Sequence, residues 1–223
     1  MIKYKFTFYE FGIIFSLVLV SLFFFDTFLL FPIKLFIIIF HEINHVIAGI
    51  ISGGKINYLT FDLNLAGKTS IEGGSIIFIA SSGYLGSLIV GALLYLSAFS
   101  NRFKKWYLSI LSLIIFIITV NLVKGELQIF LGLIASIILF LIPRYIPEKF
   151  SNLFLQYFGL LSCLYIITDI KEDLLTQTIR ETDTQVLEFL TGISSNILGF
   201  CWLIISIFVV GLLLKYSFEK SKN

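Results

Sequence analysis

Both histidines of this 223-residue chain lie in one pentapeptide, His41-Glu42-Ile43-Asn44-His45. Residues four apart share a face of an α-helix, so the two imidazoles point to one spot. Neutral imidazole is a good Zn²⁺ ligand at about 2.0–2.1 Å. An ion held there would lower the pKa of a water toward about 7, and Glu42 stands next to the spot, able to take that proton. HExxH thus reads as the core of a hydrolytic metal site, with His41 and His45 as ligands and Glu42 as general base. The competing readings are a proton or ion pathway and a purely structural polar cluster.

Composition sets the elements that must carry this motif. The chain is 58% hydrophobic and 13% charged, with a net charge of +2, and its mean hydropathy is +0.99. A soluble domain is nearer half apolar and a quarter charged. These figures exclude a soluble globular protein, a disordered chain and a nucleic-acid binder, and the small net charge suggests no anionic partner. The expected fold is an all-α polytopic membrane protein, a single domain over 1–223 with about seven transmembrane helices, in the cell membrane of a prokaryote.

Spans are expected at 11–25 (uncleaved), 28–51, 75–99, 107–123, 127–142, 153–170 and 193–214. The motif helix is 28–52, with Pro32 in its first turn, where a missing N–H costs least. Gly53-Gly54 end it. Period-two alternation of Tyr58, Thr60, Asp62 and Asn64 with Leu59, Phe61, Leu63 and Leu65 predicts a strand, and Ala66-Gly67-Lys68 a turn with a return strand at 68–72. A small β-hairpin is therefore expected within 55–74, its edge needing a partner or a surface position. Gly83, Ser87 and Gly91 form a small-residue stripe suited to close helix packing. The segment 101–106 reads as a basic loop, 143–152 as a Pro-bearing loop, 171–191 as a partly helical interfacial stretch, and the residues from Lys215 as a basic tail. Cys163 and Cys201, both in apolar runs, read as buried free thiols. Loop lysines and arginines divide almost evenly between the two faces of the seven-span arrangement, so they do not choose an orientation.

A catalytic zinc needs a third protein ligand. With no third His and no suitable Cys, it must be a carboxylate, and the aspartates are Asp26, Asp62, Asp169, Asp173 and Asp183. Spans two and six run in the same direction in the seven-span arrangement. At 1.5 Å per residue His41 lies roughly 20 Å into its span, His45 about 6 Å deeper, and Asp169 about 25 Å into the helix at 153–170. Depth favours Asp169, in an apolar helix where an unpaired carboxylate is costly. Asp173 and Asp183 remain alternatives, and the plain reading of Asp169 is an interfacial helix-end aspartate.

The segment FHEINHVIAGIISGGKI, 40–56, resembles the HExxH helix and glycine-rich exit of the site-2-protease-like intramembrane zinc metallopeptidases, peptidase family M50, and is most similar to their compact M50B-like branch. The hairpin and SSGYLGSLIVG extend the resemblance to about residue 95. A later membrane Asp followed by TDTQVLEFLTG adds a weaker one over 160–200. The resemblance implies one Zn²⁺ held by His41, His45 and a later Asp, which maps best on Asp169, with Glu42 as general base. The better-known branch carries that Asp in an Asn-Pro…Asp-Gly context, whereas CLYIITDIKED has neither the Pro nor the Gly. No loop is long enough for a PDZ-like insertion.

The implied activity is hydrolysis of peptide bonds in transmembrane or membrane-proximal polypeptides. A helical substrate must unwind locally to free its carbonyls, and the hairpin offers strand addition to hold it. The expected partners are that polypeptide and the lipid bilayer, with no nucleic acid. Two alternatives remain. One is a membrane metallopeptidase of the CAAX-processing and heat-shock type, with Glu72 or Glu172 as third ligand. The other is a non-catalytic metal-binding membrane protein such as a transporter, against which the lack of internal repeats counts.

Overall fold

The structure, a computed structural model, describes residues 8–25, 27–61, 67–168 and 182–222. Helix α1 covers Phe8–Phe23, and a 3-10 turn at Phe28–Leu30 leads into α2, Phe31–Ile51. Strands β1 (Lys55–Phe61) and β2 (Gly67–Glu72) follow. Then come α3 (Ile76–Ser97), α4 (Asn101–Leu122), α5 (Glu126–Tyr145) and α6 (Glu148–Cys163). After residues 169–181 the chain resumes with α7 (Asp183–Thr191) and α8 (Ser195–Lys222).

Among the described residues, five helical segments are long and apolar enough to cross a membrane: Phe28–Ile51, Ile76–Ser97, Asn101–Leu122, Glu126–Tyr145 and Ser195–Lys220. Helices α1 and α6 have 16 residues each, short of the ~20 a straight span needs. Of the seven expected spans, five are thus supported among the described residues. The motif-bearing segment is the central one, with 72% of its span buried against 22% of the α8 span. Peripheral helices instead turn Phe116, Ile117, Ile204 and Phe208 outward, apolar surface that lipid covers without the cost of exposure to water.

Helix α2 starts as expected, with Pro32 in its first turn. It ends in a Schellman motif: Gly53 takes φ 81°, its N–H bonds to Ile50 O, and the Gly54 N–H bonds to Gly49 O at 2.8 Å. The left-handed residue between them favours glycine because it has no Cβ. The chain then reverses directly into the antiparallel hairpin, with Lys55 opposite Glu72 and Leu59 opposite Thr69. Leu59 and Phe61 are buried, as alternation requires, while 62–66, including the expected turn residue Ala66, lie outside the described residues. The edge of β1 has found its partner in the α4–α5 turn. The Lys124 N–H bonds to Leu59 O at 2.9 Å, and Leu59 bridges Val123 in parallel.

The small-residue stripe on α3 lets α6 approach closely. A Cβ on Gly91 would lie 2.6 Å from Gly159 O, and one on Gly159 would lie 2.6 Å from Gly91 O. Ser162 Oγ donates to Ser87 O at 3.1 Å across the same seam.

Helix boundaries differ from expectation where polar residues find partners. The segment 101–106 is not a loop but the start of α4, capped by Ser100 Oγ accepting from the Phe103 N–H. Lys104 is buried there, its Nζ donating to Ser151 Oγ at 2.9 Å and to Asn152 Oδ1 at 2.6 Å. The Pro-bearing loop shrinks, because Pro143 sits in the last turn of α5, where little helix remains to be disrupted. The segment after Lys215 is helical too. Ser217 is fully buried and its Oγ lies 2.6 Å from Tyr95 Oη.

The α3–α6 seam makes a prediction. Gly91→Val should lower the thermal unfolding temperature in detergent, by overpacking worth about 1–3 kcal/mol. Gly12→Val, at a glycine with open space around its α-carbon, should leave it nearly unchanged.

Candidate metal centre

The site is built on the buried face of α2. His41 and His45 are 8% and 5% exposed, and their rings meet edge to face at 4.7 Å between centroids. Each ring is oriented from outside the motif. His45 Nδ1 lies 2.8 Å from Ile79 O. A carbonyl can only accept, so Nδ1 donates to it and Nε2 is the ring nitrogen turned toward Asp183, the orientation that ligating imidazoles use. His41 is held by aromatic edges, with the Tyr84 ring at 4.9 Å and the Tyr165 ring at 5.4 Å. The motif's Asn44 turns away, Nδ2 donating to Phe40 O at 2.6 Å.

Glycines on α3 let it lie flat on this face. A Cβ on Gly83 would stand 2.5 Å from both Cε1 and Nε2 of His41 and 2.7 Å from Cε1 of His45. Gly86 is packed against Asn44 in the same way. The stripe seen in the sequence therefore has two tasks, Gly91 toward α6 and Gly83 toward the histidines.

Among the described residues, the carboxylate within hydrogen-bond distance of both imidazoles is Asp183. Its Oδ2 lies 3.0 Å from His41 Nε2 and 3.1 Å from His45 Nε2. Asp183 is the first residue of α7, whose start is fixed by a capping box between Thr182 and Gln185. Buried Thr184 and Leu187 seat the helix, Leu187 in a cluster with Ala80, Tyr84, Ile166 and Trp202. The far end is tied down by Gly192 at φ 72° and by the Ser195 N–H donating to Glu188 Oε2 at 2.9 Å. Burial alone would raise the Asp183 pKa, but the charge of His45 and the hydrogen bonds from both histidines outweigh it. They hold the carboxyl well below its usual range, so it is an ionised donor.

Glu42 is 4% exposed and groups with His41 and His45 as a potential metal-binding set. Its Oε2 accepts from Thr69 Oγ1 at 2.5 Å. Asp169, Asp173 and Glu172 lie outside the described residues, and Glu72 is exposed at the end of β2, opposite Lys55. Asp183 was an alternative that the depth argument set behind Asp169. The signal that singles it out is Thr182-Asp183-Thr184-Gln185, a helix start that presents Asp183 from a first turn.

The donor set fits a zinc ion. Bonds of about 2.0–2.1 Å at a tetrahedral centre put ligand atoms ~3.3 Å apart, close to the Asp183–histidine separations. Two imidazoles and one carboxylate also match the three-ligand sites that leave a fourth position open.

A family model described as Peptidase M50B-like matches residues 14–213. The chain belongs to this family. No curated protein and no solved structure matches it significantly. M50 peptidases are metal-dependent, so family membership and the His–Glu–His cluster together indicate a metallopeptidase. With five apolar helices, this M50B-like chain is an integral multi-pass membrane protein.

Gly83→Ala tests the packing of the M50B-like centre. Pushing a methyl group against both imidazoles should weaken metal binding by about 10- to 100-fold, read by chelator competition. Gly12→Ala should not change it.

Proposed function

We propose that the protein is an intramembrane zinc-dependent endopeptidase that cleaves transmembrane or membrane-proximal polypeptides. His41, His45 and Asp183 hold one Zn²⁺, and Glu42 is the general base. The observation that carries the reading is the convergence of Asp183 Oδ2 on both Nε2 atoms, with Glu42 in the same buried group.

When bound, the ion supplies Lewis-acid polarisation of the scissile carbonyl and acidifies the attacking water. Glu42 takes the water proton on its carboxylate and passes it to the leaving amine. His45 keeps its orientation through Ile79 O, and His41 through the Tyr84 and Tyr165 rings. Burial of His41, Glu42 and His45 keeps bulk water from competing for the centre. The substrate presents an unwound stretch, which the hairpin is suited to hold. The β1 edge is occupied by Val123 and Lys124, and among the described residues no strand pairs with the outer edge of β2. An extended peptide adding there would lie on the strand that touches Glu42.

Two variants test this in the purified full-length protein. Glu42→Gln should abolish cleavage of a membrane peptide, by at least ~100-fold, with zinc content unchanged. A Glu42→Gln variant that cleaves at the wild-type rate refutes the mechanism. Asp183→Ala should lose stoichiometric zinc while Asp169→Ala retains it, read by elemental analysis. The reverse result moves the third ligand to Asp169.

A further inference from the structure

Nothing in helix α2 fixes the plane of the Glu42 carboxylate. Its side chain has three rotatable bonds, and helical geometry orients only the first of them well. The structure fixes it from the hairpin. Thr69 Oγ1 donates to Glu42 Oε2 at 2.5 Å and also lies 3.5 Å from Glu42 O. Gly67, at the start of β2, lies against the other oxygen, and a Cβ there would overlap Oε1. Strand β2 therefore touches both carboxylate oxygens, with a hydroxyl on one side and a bare α-carbon on the other.

The hydroxyl is itself held in place. Thr69 is β-branched and stiff about χ1. Its cross-strand partner is Leu59, which is 2% exposed and accepts the Lys124 N–H at 2.9 Å. Position thus passes from the α4–α5 turn to β1, from β1 to Thr69, and from Thr69 to Glu42.

Resting on the peptidase reading above, we propose that Thr69 is a positioning residue for the general base. Its hydroxyl pins Glu42 Oε2 and leaves Oε1 to receive the proton, so the hairpin sets the orientation of the base. Thr69 keeps its own proton throughout. The water proton goes to Oε1 and then to the leaving amine, and no bond to Thr69 is made or broken. Because a substrate strand would add to the same β2, occupancy of the hairpin and orientation of the base share one element.

The test uses the full-length protein, a membrane peptide that it cleaves, and zinc analysis. Thr69→Val, nearly isosteric but without the donor, should lower kcat roughly 10- to 100-fold, the worth of a hydrogen bond to a charged group. KM should stay within about twofold and zinc content should be unchanged. Thr69→Ser should restore most of kcat, and Gly67→Ala should resemble Thr69→Val. In the Glu42→Gln background, adding Thr69→Val should leave peptide affinity unchanged. A raised KM with unaltered kcat, loss of zinc, or a serine variant as impaired as valine overturns the inference alone. A wild-type protein that holds zinc and cleaves no membrane peptide overturns the peptidase reading, and the inference falls with it.

Discussion

Two buried imidazoles and the buried Glu42 meet the partly buried Asp183 in mostly apolar surroundings, and they must satisfy one another there. An isolated ionisable group in such surroundings is expensive, by about 2.5–3.5 kcal/mol even on lenient insertion scales. The structure meets this constraint by convergence. Asp183 faces both histidines, Thr69 faces Glu42, and Ile79 O faces His45. Each contact comes from a different element, so α3, α7 and the hairpin all have to reach α2. The rest of the architecture serves that requirement.

The glycines follow from it. Helix α3 can carry Ile79 to His45 only by lying close to α2, and Gly83 is where a side chain would strike both rings. The Schellman end of α2 has the same logic. Gly53 and Gly54 turn the chain at once, bringing β2 back over Glu42 rather than out toward water. The α4–α5 turn covers the edge of β1, which supports the hairpin.

Sequence and structure agree where the determinant is local. The i, i+4 spacing of His41 and His45 follows from helical periodicity in a single element. The hairpin was legible from alternation at Tyr58–Phe61, and the end of α2 from Gly53-Gly54. They part where a residue's role depends on a distant neighbour. Lys104 reads as a loop cation, yet Ser151 and Asn152 receive it in the interior. The segment after Lys215 reads as a basic tail, yet Ser217 reaches Tyr95. Hydropathy measures transfer from water and carries no information about such partners.

The third carboxylate shows the boundary most clearly. By itself the sequence determined a strongly apolar helix on which two imidazoles share a face beside Glu42, because composition and a five-residue motif suffice for that. A three-ligand metal site would also require a carboxylate, because the chain has no third histidine and both cysteines lie in apolar runs. Depth along a helix axis could rank the aspartates but could not say which face or which element would meet the histidines. Only the tertiary structure brought Asp183 across 142 residues of chain, from the first turn of a short capped helix. Which groups meet over such a separation is decided by the packing of whole helices, and no local pattern encodes it.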